Sequence, residues 1–390
     1  MNIQTPKPQR TPVWLTADSG DFETFRQIVG QTANPADTPH ATQVTRNIPI
    51  YDGATVDAAA DNPATRQALM EEWANVFAHG AGIIVIRQGL SDHAVIDRAS
   101  VLFDQIIADE KEAAKGGGDH FAKPGANDRI WNSLEKHCLA DPANFAAYYS
   151  SHSIAMAAEA WLGPASQMTA QVNRVNPGGA AQTPHRDYHL GFMSAARMAQ
   201  FPAHIHAVSP TLTLQGAVAH CDMPVETGPT MLLPFSQQFF EGYLAFSRPE
   251  FQAHFAANHV QLPLEKGDLL FFNPAVMHGA GTNHTPDRFR MVNLLQVSSA
   301  FGRAMETVNR RRMLRALYPA LKGATGLNLG NVIAASAEGY PFPTNLDSNP
   351  PIGGLAPKTQ ADFLREALAQ DQDEDTFFAL LDALDAKNQS

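Results

Sequence analysis

The sequence predicts a mainly β chain with flanking α-helices: a double-stranded β-helix, or jelly roll, wrapped by N- and C-terminal helices. Three observations carry this. From Met168 onward, short apolar runs alternate with Pro/Gly turns, over residues 168–175, 184–190, 204–208, 211–222, 230–234, 259–263, 268–273 and 290–298. Strands this short and this closely spaced favour an antiparallel barrel of the cupin-like kind. A helix, strand, helix pattern precedes them, and helical periodicity returns after residue 300.

Taken in order, residues 1–63 are rich in Pro, Thr, Asp and Ala with weak periodicity, which reads as an N-terminal arm of extended chain and short helices. A core domain is expected over residues 64–300. There Leu69, Trp73, Val76 and Phe77 mark one helix face, and Gly80-Ala81-Gly82 ends that helix before the strand Ile83–Ile86. Val95, Ala99, Leu102 and Ile106 define a second amphipathic helix. Gly116-Gly117-Gly118 opens a loop that runs to Arg129, and Lys123 and Arg129 in it are candidate substrate contacts beside an ordinary surface-loop reading. Residues 301–390 form a helical extension, whose Phe363, Leu364, Leu368, Phe377, Phe378, Leu381 and Leu384 suit packing on the core or forming a homodimer. Arg310-Arg311-Arg312 and Arg315 make a basic cluster on it, read first as a solvated helix face and second as a site for an anionic tail or acidic partner.

Composition narrows the function classes. With 390 residues and 44% hydrophobic content, the chain can bury a sizeable core. A formal charge of −11 gives no electrostatic footprint for nucleic acid or an anionic membrane. Two cysteines, Cys138 and Cys221, imply no disulfide framework. No apolar run approaches the roughly 20 residues that span a bilayer, and MNIQTPKPQRTPVW lacks the apolar stretch of a signal peptide. The expectation is a cytoplasmic protein that acts on a small molecule.

The chemistry concentrates in TPHRDYHLGF, where His185 and Asp187 stand two residues apart. On a strand, residues i and i+2 share a face, so both can aim at one ion while Arg186 looks away. A His-x-Asp triplet alone is common. Its context is the segment FFNPAVMHGAGTNHTPDRFRMVNLLQV, in which His278 follows the apolar run Leu269–Phe272 and a later core strand opens with an arginine. Two imidazoles and one carboxylate occupy one face of a non-haem Fe(II) and leave the other positions open. A buried arginine is costly unless an anion pairs with it. Two rival pairs exist. His204 and His206 have no carboxylate with them and fit a partly exposed edge strand, and His220 and Asp222 precede a Pro/Glu/Thr/Gly loop. In Gln171-Val172-Asn173-Arg174-Val175, either the polar pair or the apolar alternates face inward.

On these residues the chain resembles the phytanoyl-CoA dioxygenase family of Fe(II)- and 2-oxoglutarate-dependent oxygenases. The matching pieces are His185, Asp187 and the following His189, the segment Glu226–Thr230 leading to Leu233-Pro234-Phe235-Ser236, and KGDLLFFNPAVMHGAG with its arginine, within residues 64 to 300. One departure is Gln237 after Ser236, where the family usually has histidine. The resemblance implies that His185, Asp187 and His278 hold Fe(II), that 2-oxoglutarate chelates it, and that O2 takes the remaining position. Both Arg288 and Arg290 fall where the arginine that binds the co-substrate is expected. Arg290 is preferred because it opens the apolar strand in a Phe-Arg pair, whereas Arg288 follows Pro286-Asp287. Gln171 and Asn173 are further candidate contacts of 2-oxoglutarate. His189 is a candidate for a substrate contact. The implied reaction is hydroxylation of a small organic metabolite with release of succinate and CO2. The carboxylate of Asp187 implies hydroxylation or desaturation rather than halogenation. With no glycine-rich phosphate loop before a helix, a small free metabolite bearing an anionic group is expected rather than a coenzyme A thioester. A zinc hydrolase and a non-catalytic metal- or 2-oxoglutarate-binding sensor are the competing readings.

Overall fold

The computed structural model describes residues 13–113, 125–342 and 344–389. Its ten strands are β1 (Gln43–Thr45), β2 (Ile48–Asp52), β3 (Ile83–Arg87), β4 (Asn127–Ile130), β5 (Gln167–Val175), β6 (Thr213–Ala219), β7 (Met231–Leu233), β8 (Leu269–Phe272), β9 (Met277–Gly279) and β10 (Arg290–Ser298). Eight of them form one sheet in the order β1-β2-β3-β8-β6-β10-β5-β4, antiparallel except for the β2–β3 pair. β7 and β9 form a second, small sheet, lengthened by single bridges from His185 to His278 and from Val260 to Leu232.

Strand alternation sorts the large sheet's side chains into two unlike layers. Ile84 and Ile86 of β3, Ala170 and Val172 of β5, and Leu295 and Val297 of β10 pack into the main core with the helices Pro63–His79, His93–Glu112 and His152–Leu162. Their neighbours Ile83, Val85, Ala217 and Phe272 face the other way, toward Leu232 and Val276 on the small-sheet side. The molecule is therefore layered as helices, large sheet, small sheet. Trp73, Phe77 and Phe103 are fully buried in the helical layer, each contributing roughly 1.5–3 kcal/mol.

Local chemistry explains the helix limits. Asn62 accepts hydrogen bonds from the Ala64 and Thr65 amides, Pro63 occupies the first turn, and Gly80 caps the far end. The second helix, His93–Glu112, buries Ile96, Ala99, Phe103 and Ile107. This face shares only Ala99 with the one expected from sequence. The larger Phe103 sets the contact, and Val95 and Ile106 pack at its edge.

Three strand expectations are corrected. Residues 184–190 form no strand: His185 makes one bridge and the chain turns at His189. Residues 203–208 are a helix, with His206 buried and 3.2 Å from the Tyr188 hydroxyl. Residues 259–263 contribute only the Val260 bridge. With its many helices the chain is mixed α/β rather than mainly β. The region before residue 63 also supplies β1 and β2 to the large sheet. The helices Gln360–Ala369 and Glu374–Asn388 bury Leu364, Phe377, Phe378 and Leu381 against Leu314, Tyr318 and Ile333 of the same chain. No helix among the described residues is long and apolar enough to cross a membrane.

Candidate metal centre

His185 and His278 are joined by a pair of backbone hydrogen bonds, His185 N to His278 O at 2.8 Å and His278 N to His185 O at 2.9 Å. Asp187 N donates to Pro274 O at 3.0 Å. These contacts hold the triplet against β9 without a continuous strand, and the ligand atoms of His185, Asp187 and His278 lie within 4.8 Å of one another. Among the described residues no other such group of His, Cys, Asp and Glu occurs.

Each imidazole is oriented from behind. Nδ1 of His185 lies 2.8 Å from Thr183 O and Nδ1 of His278 lies 2.9 Å from Val276 O. A carbonyl only accepts, so Nδ1 carries the proton and Nε2 keeps its lone pair for a metal. Both Nε2 atoms face Asp187, at 3.6 Å and 3.7 Å from its carboxylate oxygens. Burial pushes His278 down to about 4, which keeps it in the neutral form that a ligand requires. Gln215 of β6 donates to Asp187 Oδ2 and fixes that carboxylate. Neither Gln215 nor the structural role of Arg186 was found from sequence. Arg186 is buried and donates to the carbonyls of Ser236 and Phe239. A side chain at Gly242 would collide with this guanidinium, the nearest atom being 1.6 Å from the added Cβ.

The triad opens onto a cavity of about 680 Å³ between the two sheets. Arg290 lines it and is buried, its Nε donating to Thr227 O at 2.9 Å and Nη2 to Gly281 O at 3.3 Å. Burial pushes its guanidinium down to about 10. Arg290 has no acidic partner among the described residues. The Glu226–Thr230 segment builds this cradle. Gly228 adopts φ 73°, and a Cβ there would sit 2.3 Å from Thr282 O. Arg288, in contrast, is exposed in the turn before β10, away from the cavity.

The polar pair of β5 faces inward. Gln171 Oε1 accepts from Arg129 at 2.9 Å, and the Asn173 Oδ1 is buried with no hydrogen-bond partner among the described residues. Both line the cavity. Arg129 does too, but it belongs to the buried strand β4 rather than to a loop, with its guanidinium 5.1 Å from the centre of the Trp131 ring. His189 lines the cavity through the turn, its Nδ1 2.9 Å from Thr213 Oγ1, and burial lowers its pKa. Lys123 lies outside the described residues.

The rival sites resolve differently. His220 has both ring nitrogens engaged, by Ser100 at 2.8 Å and by Tyr148 at 2.9 Å, on the helical side of the sheet. The arginine cluster is divided: Arg310 is buried and donates to Ala335 O and Met168 O, Arg311 pairs with Asp382 and Asp385, and Arg312 and Arg315 are exposed. Gln237, the departure from the family pattern, donates to Gly80 O at 2.8 Å and ties its turn to the end of the first long helix.

No curated protein matches the chain. Among solved structures, it is similar to the non-haem α-ketoglutarate-dependent epimerase SnoN from nogalamycin biosynthesis, at 20% identity and TM-score 0.39 over 60% of this chain and 84% of that one. It is similar to the carbocyclase SnoK of the same biosynthesis, at 18% identity and TM-score 0.41 over 60% and 86%. AviO1 from Streptomyces viridochromogenes Tue57 gives 16% identity and TM-score 0.42 over 61% and 96%. The family model for phytanoyl-CoA dioxygenase matches residues 68–292, which include every residue of the metal triad and the cradle of Arg290. Iron and 2-oxoglutarate are the metal and co-substrate that this match brings, and the His-Asp-His triad is the place for the metal. The chain belongs to the phytanoyl-CoA dioxygenase family.

Proposed function

We propose that the protein is an Fe(II)- and 2-oxoglutarate-dependent oxygenase that hydroxylates a small organic metabolite, with its two sheets forming the halves of a jelly roll. One observation carries the reading: the metal-ready triad and a buried arginine without an acidic partner among the described residues open onto the same cavity. His185, Asp187 and His278 would hold the metal, and Arg290 would take the far carboxylate of 2-oxoglutarate. The bound metal and co-substrate supply the oxidising power, with 2-oxoglutarate, O2 and a C–H substrate giving succinate, CO2 and an alcohol.

The chain's own contribution is position and exclusion of water. Gln215 holds the carboxylate of Asp187, backbone carbonyls hold both imidazoles, and Leu270, Phe272 and Val292 form a dry wall beside Arg290. Arg129 and His189 are substrate-side contacts in this reading. A zinc hydrolase would leave the buried charge of Arg290 unexplained. A sensor would bind metal and 2-oxoglutarate without turnover. Protein purified without oxygen and loaded with Fe(II) should convert 2-oxoglutarate to succinate once O2 is admitted, and Zn(II) should not replace iron. Hydrolysis supported by Zn(II), or binding of 2-oxoglutarate with no succinate formed across a wide substrate panel, contradicts the proposal.

A further inference from the structure

The cavity has two unlike ends. Toward Arg290 the wall is largely apolar, with Met223, Leu264, Leu270 and Val292, and Arg290 and Asn173 are polar features there. At the other end of β10 the wall is polar, with Thr213, Gln296 and Ser298 beside His189. The chain that leaves β10 there folds back over this end. Gly302 lies against His189, its added Cβ falling 2.8 Å from Nε2, and the Met305 sulfur sits 3.6 Å from Gln171 Nε2. Between them Arg303 lines the cavity and is exposed, and it makes no hydrogen bond or ion pair among the described residues.

Charge makes this position informative. The protein carries a formal −11, yet among the described residues the only carboxylate lining the cavity is Asp187, against Arg129, Arg290 and Arg303. Arg129 can be set aside, because its guanidinium is already engaged, donating to Gln171 Oε1 and lying over the Trp131 ring. The remaining balance is +2 from Arg290 and Arg303 and −1 from Asp187, a net +1. A divalent metal and the dianion 2-oxoglutarate cancel each other. One positive charge is left over on the substrate side, in a protein of net negative charge.

The apolar groups at this end set the rest of the ligand. Phe192 packs its ring 5.3 Å from that of His185, beside the metal position, and Met305, 58% exposed, lines the same cavity. We propose that Arg303 binds the anionic group of the primary substrate, and that this substrate is a small monoanionic amphipathic acid whose apolar body lies between Phe192 and Met305 next to the metal. This rests on the oxygenase reading given above. The segment that brings Arg303 to the cavity follows residue 292, so the assignment concerns residues outside the part matched by the family model.

Calorimetric titration of the anaerobic protein loaded with Fe(II) and 2-oxoglutarate tests this, using octanoate and 3-phenylpropanoate against their primary amides. The native protein should bind the carboxylates about five- to ten-fold more tightly than the amides, the size expected for a charge-assisted pair at a partly exposed site. Arg303→Gln should bring acid and amide to nearly equal affinity, Arg303→Lys should restore the preference for acid in part, and 2-oxoglutarate affinity should stay unchanged in both. Equal binding of acids and amides by the native protein, no binding of any acid, or a preference that survives in Arg303→Gln would overturn the proposal. Failure of the native protein to bind 2-oxoglutarate at all would instead remove the oxygenase reading beneath it.

Discussion

His185-Arg186-Asp187 and His220-Cys221-Asp222 are the same motif in one chain, and they have opposite fates. In the first, one nitrogen of each imidazole is tied to a backbone carbonyl and the other is left facing a carboxylate across an open cavity. In the second, both nitrogens of His220 are spent on Ser100 and Tyr148, and Asp222 is an exposed residue accepting a hydrogen bond from the Lys266 amide. A His-x-Asp triplet therefore becomes a metal site through what occupies its second nitrogen and through a third ligand delivered by another segment. His278 does this for the first triplet, and none of the described residues does it for the second.

The largest effect should come from breaking the first triplet. Asp187→Ala and His278→Ala should each abolish iron-dependent formation of succinate, with thermal stability close to that of the native protein, because the triad is grafted on a scaffold held by apolar layers. Turnover retained in His278→Ala would be incompatible with the assignment. Next, Arg290→Ala should weaken 2-oxoglutarate binding by about 2–5 kcal/mol, as for one partner removed from a buried charge pair. Arg288→Ala should leave it nearly unchanged. A titration showing the reverse order would move the co-substrate to the exposed turn.

The second triplet should respond in stability. His220→Ala leaves the hydroxyls of Ser100 and Tyr148 without their partner and should cost about 1–3 kcal/mol in denaturant unfolding, with iron content unaltered. Its pH dependence has a definite sign. Burial holds His220 down at about 3, against 6.5 for an ordinary histidine. The unfolded chain therefore takes up this proton first, and the stability His220 contributes is present above about pH 6.5 and lost as pH falls toward 3. His220→Gln should flatten that part of the acid unfolding profile, and an unchanged profile would show that His220 is not responsible. The smallest effect is expected at Gln215. Gln215→Leu should weaken Fe(II) affinity about 10-fold, the lower end for a residue that orients a metal ligand, while Gln215→Glu should weaken it further through repulsion of Asp187.

Much of this contrast was legible in the sequence, because the triad needs residue types and spacing that few segments supply. The 290–298 strand and the first long helix were legible for a similar reason, since their apolar periods are unambiguous. Residues 184–190 misled because a run of alternating side chains looks the same whether it pairs along its length or, as here, at His185 alone. The helix at 203–208 was missed because six residues carry too little periodicity to tell helix from strand. Gln215, Arg186 and Arg303 were not singled out because their roles depend on what lies opposite them in space. Gln215 belongs to no motif of its own, and Arg303 reaches the cavity only because the chain after β10 folds back over it.

The most direct test of the central claim is iron stoichiometry with 2-oxoglutarate chelation, measured without oxygen on three proteins side by side: native, His278→Ala and His220→Gln. The account predicts one Fe(II) per chain in the native protein, together with the visible absorption band that appears when 2-oxoglutarate chelates iron. It predicts the same for His220→Gln, and neither iron nor band for His278→Ala. Full iron and an unchanged band in His278→Ala, or their loss in His220→Gln with the fold intact, would contradict it.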